Sequence, residues 1–171
     1  CEITDSVGGP GVCMGDFDSD GDLDLYFVDR APYPNRMLRN DGAAFTEVTE
    51  ESGTGDTRDS VGCLVFDADG DDDVDLLVSN HGRDTLYRND GGLFEDATLA
   101  FGLGDEGFST SATAGDVDGD GDMDLFVGRL VDTASCPASA CHLLPLACSS
   151  QTNLLYVNEG CLLYTSPSPR D

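Results

Sequence analysis

The sequence is poor in positive charge. Of its 171 residues, 8 are Lys or Arg and 34 are Asp or Glu, which gives a formal net charge of −26 and an isoelectric point near 4.1. Such a surface repels polyanions, so no nucleic-acid partner is expected and anionic membranes are unfavourable. The chain also lacks an apolar run of the about 18 residues that a membrane-spanning helix needs, so no direct membrane insertion is expected.

Familiar catalytic signatures are absent as well. The chain has no nucleophile elbow, phosphate-cradling glycine loop, dinucleotide-binding fingerprint or zinc-protease helix. His81 follows an apolar run and is interpreted as a polar loop residue. We therefore expect a protein that is not an enzyme. The alternative is a part of a secreted lyase or hydrolase whose catalytic site lies in sequence outside this chain.

The acidic residues are concentrated rather than spread. Three nine-residue segments, 16–24, 67–75 and 116–124, hold 16 of the 34 acidic residues. Each segment leads directly into an apolar stretch of three or four residues. A disordered acidic chain would not repeat this arrangement three times. The acidity therefore predicts loops within a folded protein.

The acidic segments belong to a repeat of about fifty residues, because their first aspartates are separated by 51 and 49 positions. An Asn-Asp-Gly or Asn-Glu-Gly turn signal follows at 40–42, 89–91 and 158–160. The predicted divisions are the tail of an earlier repeat (1–8), repeats at 9–53 and 54–102, and a third at 103–160 with an insertion at 133–152. Insertions of this kind lie on a surface.

Each repeat is expected to form four short strands and no helix. A first strand leads into the aspartate segment at 12–14, 63–66 and 112–114. The apolar run after the segment, at 25–28, 76–78 and 125–127, is typical of a strand buried on both faces. The Asn-Asp-Gly signal predicts a two-residue hairpin turn between the third and fourth strands. The sequence thus predicts an all-β fold, a partial β-propeller of about three four-stranded antiparallel blades.

The final segment, 161–171, departs from the repeat. Its sequence, Cys-Leu-Leu-Tyr-Thr-Ser-Pro-Ser-Pro-Arg-Asp, resembles the in-frame translation of a widely used sequencing-library adapter. We interpret it as an adapter-derived tail and end the biological sequence near Gly160. A genuine tail rich in Pro and Ser is the alternative.

The aspartates alternate along each tightly turning segment. Ca²⁺ takes about six to eight oxygen ligands in flexible geometry, so alternate carboxylates can converge on one ion. Positions one, three, five and nine are expected to supply side chains, and position seven, by analogy with other aspartate loops, its backbone carbonyl. The predicted ligands of three Ca²⁺ ions, one per loop, are Asp16, Asp18, Asp20, Asp22 and Asp24, then Asp67, Asp69, Asp71, Asp73 and Asp75, then Asp116, Asp118, Asp120, Asp122 and Asp124.

Position six of each loop requires a sharp turn. Gly21 and Gly121 occupy it in the first and third loops, whereas the second loop has Asp72, which adopts a left-handed conformation only at some cost. The second loop is therefore predicted to be the weakest site. An EF-hand would require Glu at the twelfth position, but apolar residues stand there in all three loops.

The pattern Asp-x-Asp-x-Asp-Gly-Asp-x-Asp before an apolar strand resembles the FG-GAP/VCBS repeat of integrin α-chain propellers. The Leu-Tyr-Arg-Asn-Asp-Gly of 86–91, with Phe94 and Thr98, is similar to the branch that includes cartilage acidic protein and related secreted proteins. The resemblance implies about seven or eight blades, one Ca²⁺ per loop, an extracellular location and an adhesion or scaffolding role with a protein or glycan partner. It also implies that partners bind away from the calcium face. Blades of a membrane receptor chain remain an open alternative.

The chain has seven cysteines, which favours an oxidising, extracellular compartment. Cys13 and Cys63 lie on first strands and are interpreted as small buried hydrophobic residues. In the insertion, a local disulfide among Cys136, Cys141 and Cys148 is expected. A zinc site formed by these three cysteines and the neighbouring His142 is the alternative.

Overall fold

The computed structural model of the chain describes residues 11–132, 135, 148–160 and 163–166. Within these residues the fold is all-β with antiparallel sheets, which confirms that part of the predicted fold class, while the arrangement as propeller blades stays a prediction. The expectation of no helix is wrong, because one four-residue helix follows the fourth strand of the first repeat. The elements are β1 (Val12–Gly15), β2 (Asp24–Phe27), β3 (Arg36–Asn40), β4 (Phe45–Glu47), α1 (Thr49–Ser52), β5 (Ser60–Phe66), β6 (Asp75–Arg83), β7 (Thr85–Asp90), β8 (Leu93–Asp96), β9 (Glu106–Gly115), β10 (Asp124–Arg129), β11 (Leu154–Asn158) and β12 (Leu163–Ser166).

The strands form three successive antiparallel units. Unit 1 is β1 to β4, unit 2 is β5 to β8 and unit 3 is β9 to β12, and in each unit strands that follow one another in the chain pair with one another. Every predicted first strand lies within an observed strand. The predicted second strands do so as well, except that β2 ends one residue early, at Phe27.

Units 2 and 3 are also joined through their backbones. Beyond its pairing with β5 and β7, β6 continues and pairs with β9, so that His81 stands opposite Phe108 and Arg83 opposite Glu106. The interpretation of His81 as a loop residue is therefore wrong. This residue lies in a strand because the strand has a second partner.

The second strand of unit 2 is buried on both faces because a unit packs on each side of it. Leu76, Leu77 and Val78 are all 0% exposed. Since side chains alternate along a strand, Leu76 and Val78 join the core between units 1 and 2, while Leu77 joins the core between units 2 and 3. Apolar packing between successive units is thus the main stabilising feature of the fold.

Cys13 and Cys63 are joined by a disulfide, so their interpretation as unlinked hydrophobic residues is wrong. The bond has an S–S distance of 2.07 Å and a Cα–Cα distance of 6.0 Å. The first two aspartate loops are 51 residues apart, but these cysteines are 50 apart. A one-residue offset places them on opposite faces of equivalent strands. Cys13 therefore points from β1 toward unit 2, whereas Cys63 points from β5 toward unit 1. Their sulfur atoms meet and bond between the two units.

The hairpin between third and fourth strands is present, but its predicted two-residue turn occurs in unit 2 and not in unit 1. In unit 2, Asp90 pairs with Leu93, and the turn consists of Gly91 and Gly92 with φ of +57° and +93°. In unit 1, β3 and β4 are joined by the longer connection 41–44. Among the described turn residues only glycines take positive φ, and the asparagines of the turn signal lie in the third strands.

β12 lies inside the segment 161–171, whose adapter origin stays a prediction. Its Leu163 is buried opposite Asn158, the register position that Phe45 takes opposite Asn40. The repeat boundaries also stay predictions. The tail 1–8 and residues 133–134 and 136–147 of the insertion lie outside the described residues. In the part that the structure describes, no helix has the length and apolar character of a membrane span.

Candidate metal centres in the aspartate loops

The three aspartate loops lie at one end of the units. Loop 1 (16–24) joins β1 to β2, loop 2 (67–75) joins β5 to β6, and loop 3 (116–124) joins β9 to β10. Hydrogen bonds run from unit 2 to loop 1 and from unit 3 to loop 2, so the loops stand side by side. The third strands end at this same edge.

The first aspartate of each loop shapes the loop backbone. The Asp16 carboxylate accepts the N–H groups of Asp20 at 3.1 Å and Gly21 at 2.9 Å. In loops 2 and 3 the first aspartate accepts the N–H groups of positions four and six, at distances between 2.6 and 3.1 Å. In every loop, position five accepts the N–H of position seven at 2.9 Å. These short Asx-type bonds fold the loop around its carboxylates.

The ninth aspartate is buried in every loop. Asp75, which is 0% exposed, accepts the N–H of Ala68, at position two of its own loop, at 2.7 Å, and the N–H of Asn89, on the third strand, at 2.8 Å. Asp24 and Asp124 make the equivalent pairs of bonds. The ninth aspartate therefore fixes each loop to the sheet, and in loops 1 and 3 it also lies among the converging carboxylates.

Side-chain oxygens converge in each loop. In loops 1 and 3 the structure brings together positions one, three and nine, and in loop 2 positions one, three and five. In each group the ligand atoms lie within 4.8 Å of one another; the groups are Asp16, Asp18 and Asp24, then Asp67, Asp69 and Asp71, then Asp116, Asp118 and Asp124. The other predicted ligands lie in the same loops but outside these groups; they are Asp20, Asp22, Asp73, Asp75, Asp120 and Asp122.

The donor set fits a hard cation. All the converging atoms are carboxylate oxygens, which suit Ca²⁺ or Mg²⁺ better than softer metals. In loop 1, Asp18 Oδ1 is a buried oxygen without a hydrogen-bond donor. Buried polar atoms almost always have a partner. A cation among Asp16, Asp18 and Asp24 would supply one.

The electrostatics of the loops also favour a cation. Desolvation by burial, followed by repulsion from neighbouring loop aspartates, raises the pKa of Asp18 and of Asp69 above the usual range. Burial raises the pKa of Asp75 to about 6, and the charges of Asp69 and Asp71 add to this effect. A carboxylate with a raised pKa is destabilised in its charged form. A divalent ion in the loop would reverse this effect.

Position seven uses its carboxylate away from the centre in loop 2. Asp73 accepts a hydrogen bond from Ser19 Oγ at 3.0 Å and from the N–H of Gly91 at 3.0 Å. The Asp73 carboxylate is therefore engaged outside the converging group, and the expectation that position seven supplies its backbone carbonyl stays a prediction. Asp22 and Asp122 stand at the same position and belong to neither converging group.

Two positions in each loop are left-handed. Position six has φ of +95° at Gly21, +72° at Asp72 and +102° at Gly121, so Asp72 adopts the conformation expected of it. Position four is left-handed too, with φ of +58° at Ser19 and glycine in the other two loops. This second requirement was missed. Loops 1 and 2 thus each hold one residue that resists its conformation, and loop 3 holds none.

The asparagine of the turn signal has a role that sequence reasoning missed. Asn89 and Asn158 are 1% and 3% exposed, and the side-chain Nδ2 of each donates to a backbone carbonyl in the preceding unit's loop. The sequence feature that could have revealed this role is that Asn, never Asp, is the first residue of all three Asn-Asp-Gly or Asn-Glu-Gly segments. A turn alone accepts either residue, but only the amide of Asn donates.

The zinc alternative in the insertion loses one ligand. Cys148 is disulfide-bonded, so its sulfur is not available as a thiolate ligand. The partner of Cys148 lies outside the described residues, so the local disulfide among the three cysteines stays a prediction. The other members of both hypotheses, Cys136, Cys141 and His142, lie outside the described residues.

Comparison with protein-family models finds matches over the part of the chain that contains the aspartate loops. Residues 16–78 and 67–127 each match the model of an FG-GAP-like repeat. No curated protein matches the chain significantly, so the finer resemblance to cartilage acidic protein stays a prediction. The two matches overlap, contain all three aspartate loops and together span well over half of the sequence. The chain therefore belongs to the FG-GAP-like repeat family.

Proposed function

We propose that this chain is a calcium-binding segment of an extracellular β-propeller that serves as a non-catalytic scaffold for a protein or glycan partner. Family membership indicates an interaction or adhesion module. The observation that carries the calcium assignment is the convergence of three carboxylates in each of three loops, with Asp18 Oδ1 buried and unpartnered in loop 1.

Calcium suits these loops better than magnesium. Mg²⁺ demands nearly ideal octahedral geometry and retains several waters, whereas Ca²⁺ accepts irregular sets of about six to eight oxygens. Loops that bring positions one, three and nine together in two cases, and one, three and five in the third, are irregular in this sense. Positions one, three, five and nine would hold the ion with the carbonyl of position seven. The bound ion supplies positive charge that neutralises the crowded carboxylates.

The propeller assignment rests on the two outer faces of the three units. On unit 1, Val12 and Met14 are 55% and 62% exposed, although their counterparts in unit 2 pack into the core between units 1 and 2. On unit 3, Val117 is 62% exposed, whereas its counterpart Phe17 is 2% exposed. Apolar faces of this kind favour further units on both sides, as in a closed ring of blades.

The disulfides support an extracellular location. Cys13 is bonded to Cys63, and Cys148 is also disulfide-bonded. Structural disulfides persist in oxidising compartments and are rare in the cytosol.

The non-catalytic assignment rests on the loops, because carboxylates engaged with a metal make poor proton donors.

Calorimetric titration of the full chain with Ca²⁺ tests the calcium assignment. We expect about three sites with dissociation constants of roughly 10⁻⁴ to 10⁻³ M, as in extracellular modules, and a higher melting temperature in Ca²⁺ than in EDTA. Asp20→Asn, Asp71→Asn and Asp120→Asn should each remove one site. Glu95→Gln, an exposed change outside the loops, is the matched control. A folded chain that binds no calcium at millimolar concentration would overturn the assignment.

The scaffold assignment has its own test. Glycan and extracellular-protein arrays probed with the chain in millimolar Ca²⁺ should show saturable binding that EDTA weakens, because the loops order the units. Binding that survives loss of the ions would separate partner recognition from the calcium loops. Turnover of an array glycan would contradict the non-catalytic assignment.

A further inference from the structure

The side chain of Asn89 holds two aspartate loops at once. Its Nδ2 donates to the carbonyl of Phe17, at position two of loop 1, at 2.8 Å, and to the carbonyl of Val74, at position eight of loop 2, at 3.1 Å. Asn158 repeats this arrangement one unit further on, with bonds to loop 2 at 2.9 Å and to loop 3 at 3.2 Å. Each amide thus bridges two neighbouring loops.

The bridges join into one continuous chain of hydrogen bonds. Ala68 accepts from Asn158 through its carbonyl and donates its own N–H to Asp75. Asp75 also accepts the N–H of Asn89, whose side chain continues to Phe17. The N–H of Phe17 in turn donates to the ninth aspartate of loop 1. The path therefore connects the ninth aspartates of all three loops.

Surface contacts reinforce the link between loops 1 and 2. Ser19 Oγ donates to Asp73 across the two loops at 3.0 Å. The turn of unit 2 also lies against loop 1, so that a Cβ added to Gly92 would stand 3.1 Å from the Cβ of Asp18. Loop 1 is therefore connected to unit 2 by a buried hydrogen bond, a surface hydrogen bond and a packing contact.

We infer that Asn89 and Asn158 are positioning residues that couple neighbouring metal loops, so that calcium binds the loops cooperatively. This inference rests on the proposed calcium function. Without a cation the loop carboxylates repel one another, and binding must order each loop. Once loop 1 is ordered, the Phe17 carbonyl holds Asn89, and Asn89 holds positions eight and nine of loop 2. Loop 2 then loses less conformational entropy when it binds.

Asn40 supplies a matched control. It occupies the equivalent position in unit 1 and bonds to its own loop through the carbonyl of Leu23 at 3.2 Å. In the described part of the chain, no loop of a preceding unit is present for it to reach. Asn40→Ala therefore removes the bond within a loop, whereas Asn89→Ala also removes the bond between loops.

The test is a thermodynamic cycle on the full chain, measured by calcium calorimetry. Asp20→Asn removes the loop 1 site, and coupling predicts that it also weakens the loop 2 site by about fivefold or more. In an Asn89→Ala background, Asp20→Asn should weaken the loop 2 site clearly less than in the original chain, because only the Ser19–Asp73 bond and the contact at Gly92 still link the loops. In an Asn40→Ala background, the weakening should persist. Equal behaviour of the two backgrounds, or no effect of Asp20→Asn in the original chain, would overturn the coupling.

Hydrogen exchange keeps the inference testable if Asn89→Ala does not fold. In saturating Ca²⁺, Asp20→Asn alone should speed exchange at the Ala68 N–H in loop 2, and unchanged exchange would contradict the coupling. The inference can also fail separately from the function on which it rests. Absence of calcium binding by the original chain contradicts the proposed function, whereas three independent sites contradict only the coupling.

Discussion

The junction between units 1 and 2 and the junction between units 2 and 3 share a core and an asparagine bridge but differ in the contacts that reinforce them. The first junction is reinforced by side chains: the disulfide of Cys13 with Cys63, and an ion pair in which Arg30 bonds both oxygens of Asp59 at 2.8 and 3.0 Å. The second is reinforced by backbone pairing of β6 with β9. The shared features are those that the repeat requires, and the remaining contacts are specific to each junction.

The largest expected loss of stability comes from substitutions in the two cores between units, and each core can be tested separately. Leu76 and Leu77 are adjacent and both 0% exposed, but they face units 1 and 3 respectively. Leu76→Ala and Leu77→Ala should each lower the free energy of unfolding by about 2–5 kcal/mol because each leaves a cavity. Urea titration measures the cost. Hydrogen exchange should then speed in β2 for Leu76→Ala and in β10 for Leu77→Ala, and the opposite pattern would contradict the core assignment.

The next effect belongs to the first junction alone. Replacing both Cys13 and Cys63 with serine opens a covalent loop of sequence separation 50. The loss of this constraint on the unfolded chain should cost about 2–4 kcal/mol. Urea titration with and without reductant checks it, because any reductant effect that remains in the double variant reports the disulfide of Cys148. A double variant as stable as the original chain would show that the core alone holds units 1 and 2 together.

A smaller loss of stability is expected when the ion pair of either junction is removed, and the two losses should differ. The Asp59 side chain is 14% exposed, and its hydrogen bonds with the Arg30 guanidinium lower its pKa. Asp59→Asn should cost about 1–2 kcal/mol, since charge-assisted hydrogen bonds are lost. Glu106→Gln is the matched change at the second junction, where Glu106 lies 3.9 Å from Arg83 and is 75% exposed, and it should cost less than about 0.5 kcal/mol.

The pH dependence of Asp59 has a defined sign. A carboxyl group whose pKa is lowered by folding stabilises the folded state above its unfolded pKa of about 3.9, and this contribution is lost as the pH falls through the lower folded pKa. The difference between the original chain and Asp59→Asn should therefore be constant near neutral pH and shrink below about pH 4. A difference that is constant down to pH 2 would show that the ionisation of Asp59 does not matter.

Much of the fold was predictable from the sequence because the repeat constrains it strongly. Alternation places Leu76 and Leu77 on opposite faces, and a fifty-residue period aligns the loops, so the predicted first and second strands lie within observed strands except at the end of β2. The observed β6 and β9 extend several residues further than predicted, because these two strands also pair with each other. The disulfide was readable in principle from the 50-residue spacing of the cysteines against the 51-residue spacing of the loops. It was missed because that argument requires knowing that the two strands face each other.

The candidate sites were predictable at the level of the loop but not of the individual oxygen. Alternating aspartates identify the segment, whereas the structure decides that position nine converges in loops 1 and 3 and position five in loop 2. The bridges made by Asn89 and Asn158 were not predictable. They depend on which carbonyl of a neighbouring unit comes within reach, and no local pattern records that distance.

The smallest expected effect concerns the backbone strain of loops 1 and 2. Asp72→Gly gives loop 2 the residue that loops 1 and 3 have at position six, and Ser19→Gly gives loop 1 the residue that loops 2 and 3 have at position four. Relief of a left-handed non-glycine residue should exceed the entropy that glycine adds to the unfolded chain. Asp72→Gly is thus expected to stabilise loop 2 by about 0.5–1 kcal/mol and to tighten calcium binding there in calorimetry. Ser19→Gly should stabilise loop 1 by less, because it also removes the hydrogen bond from Ser19 Oγ to Asp73. Gly119→Ser, the reverse change in the unstrained loop 3, should weaken its site. If Asp72→Gly instead weakens calcium binding, the charge of Asp72 strengthens the site by more than its strained backbone weakens it. The residue at position six would then not be a reason for loop 2 to be the weakest site.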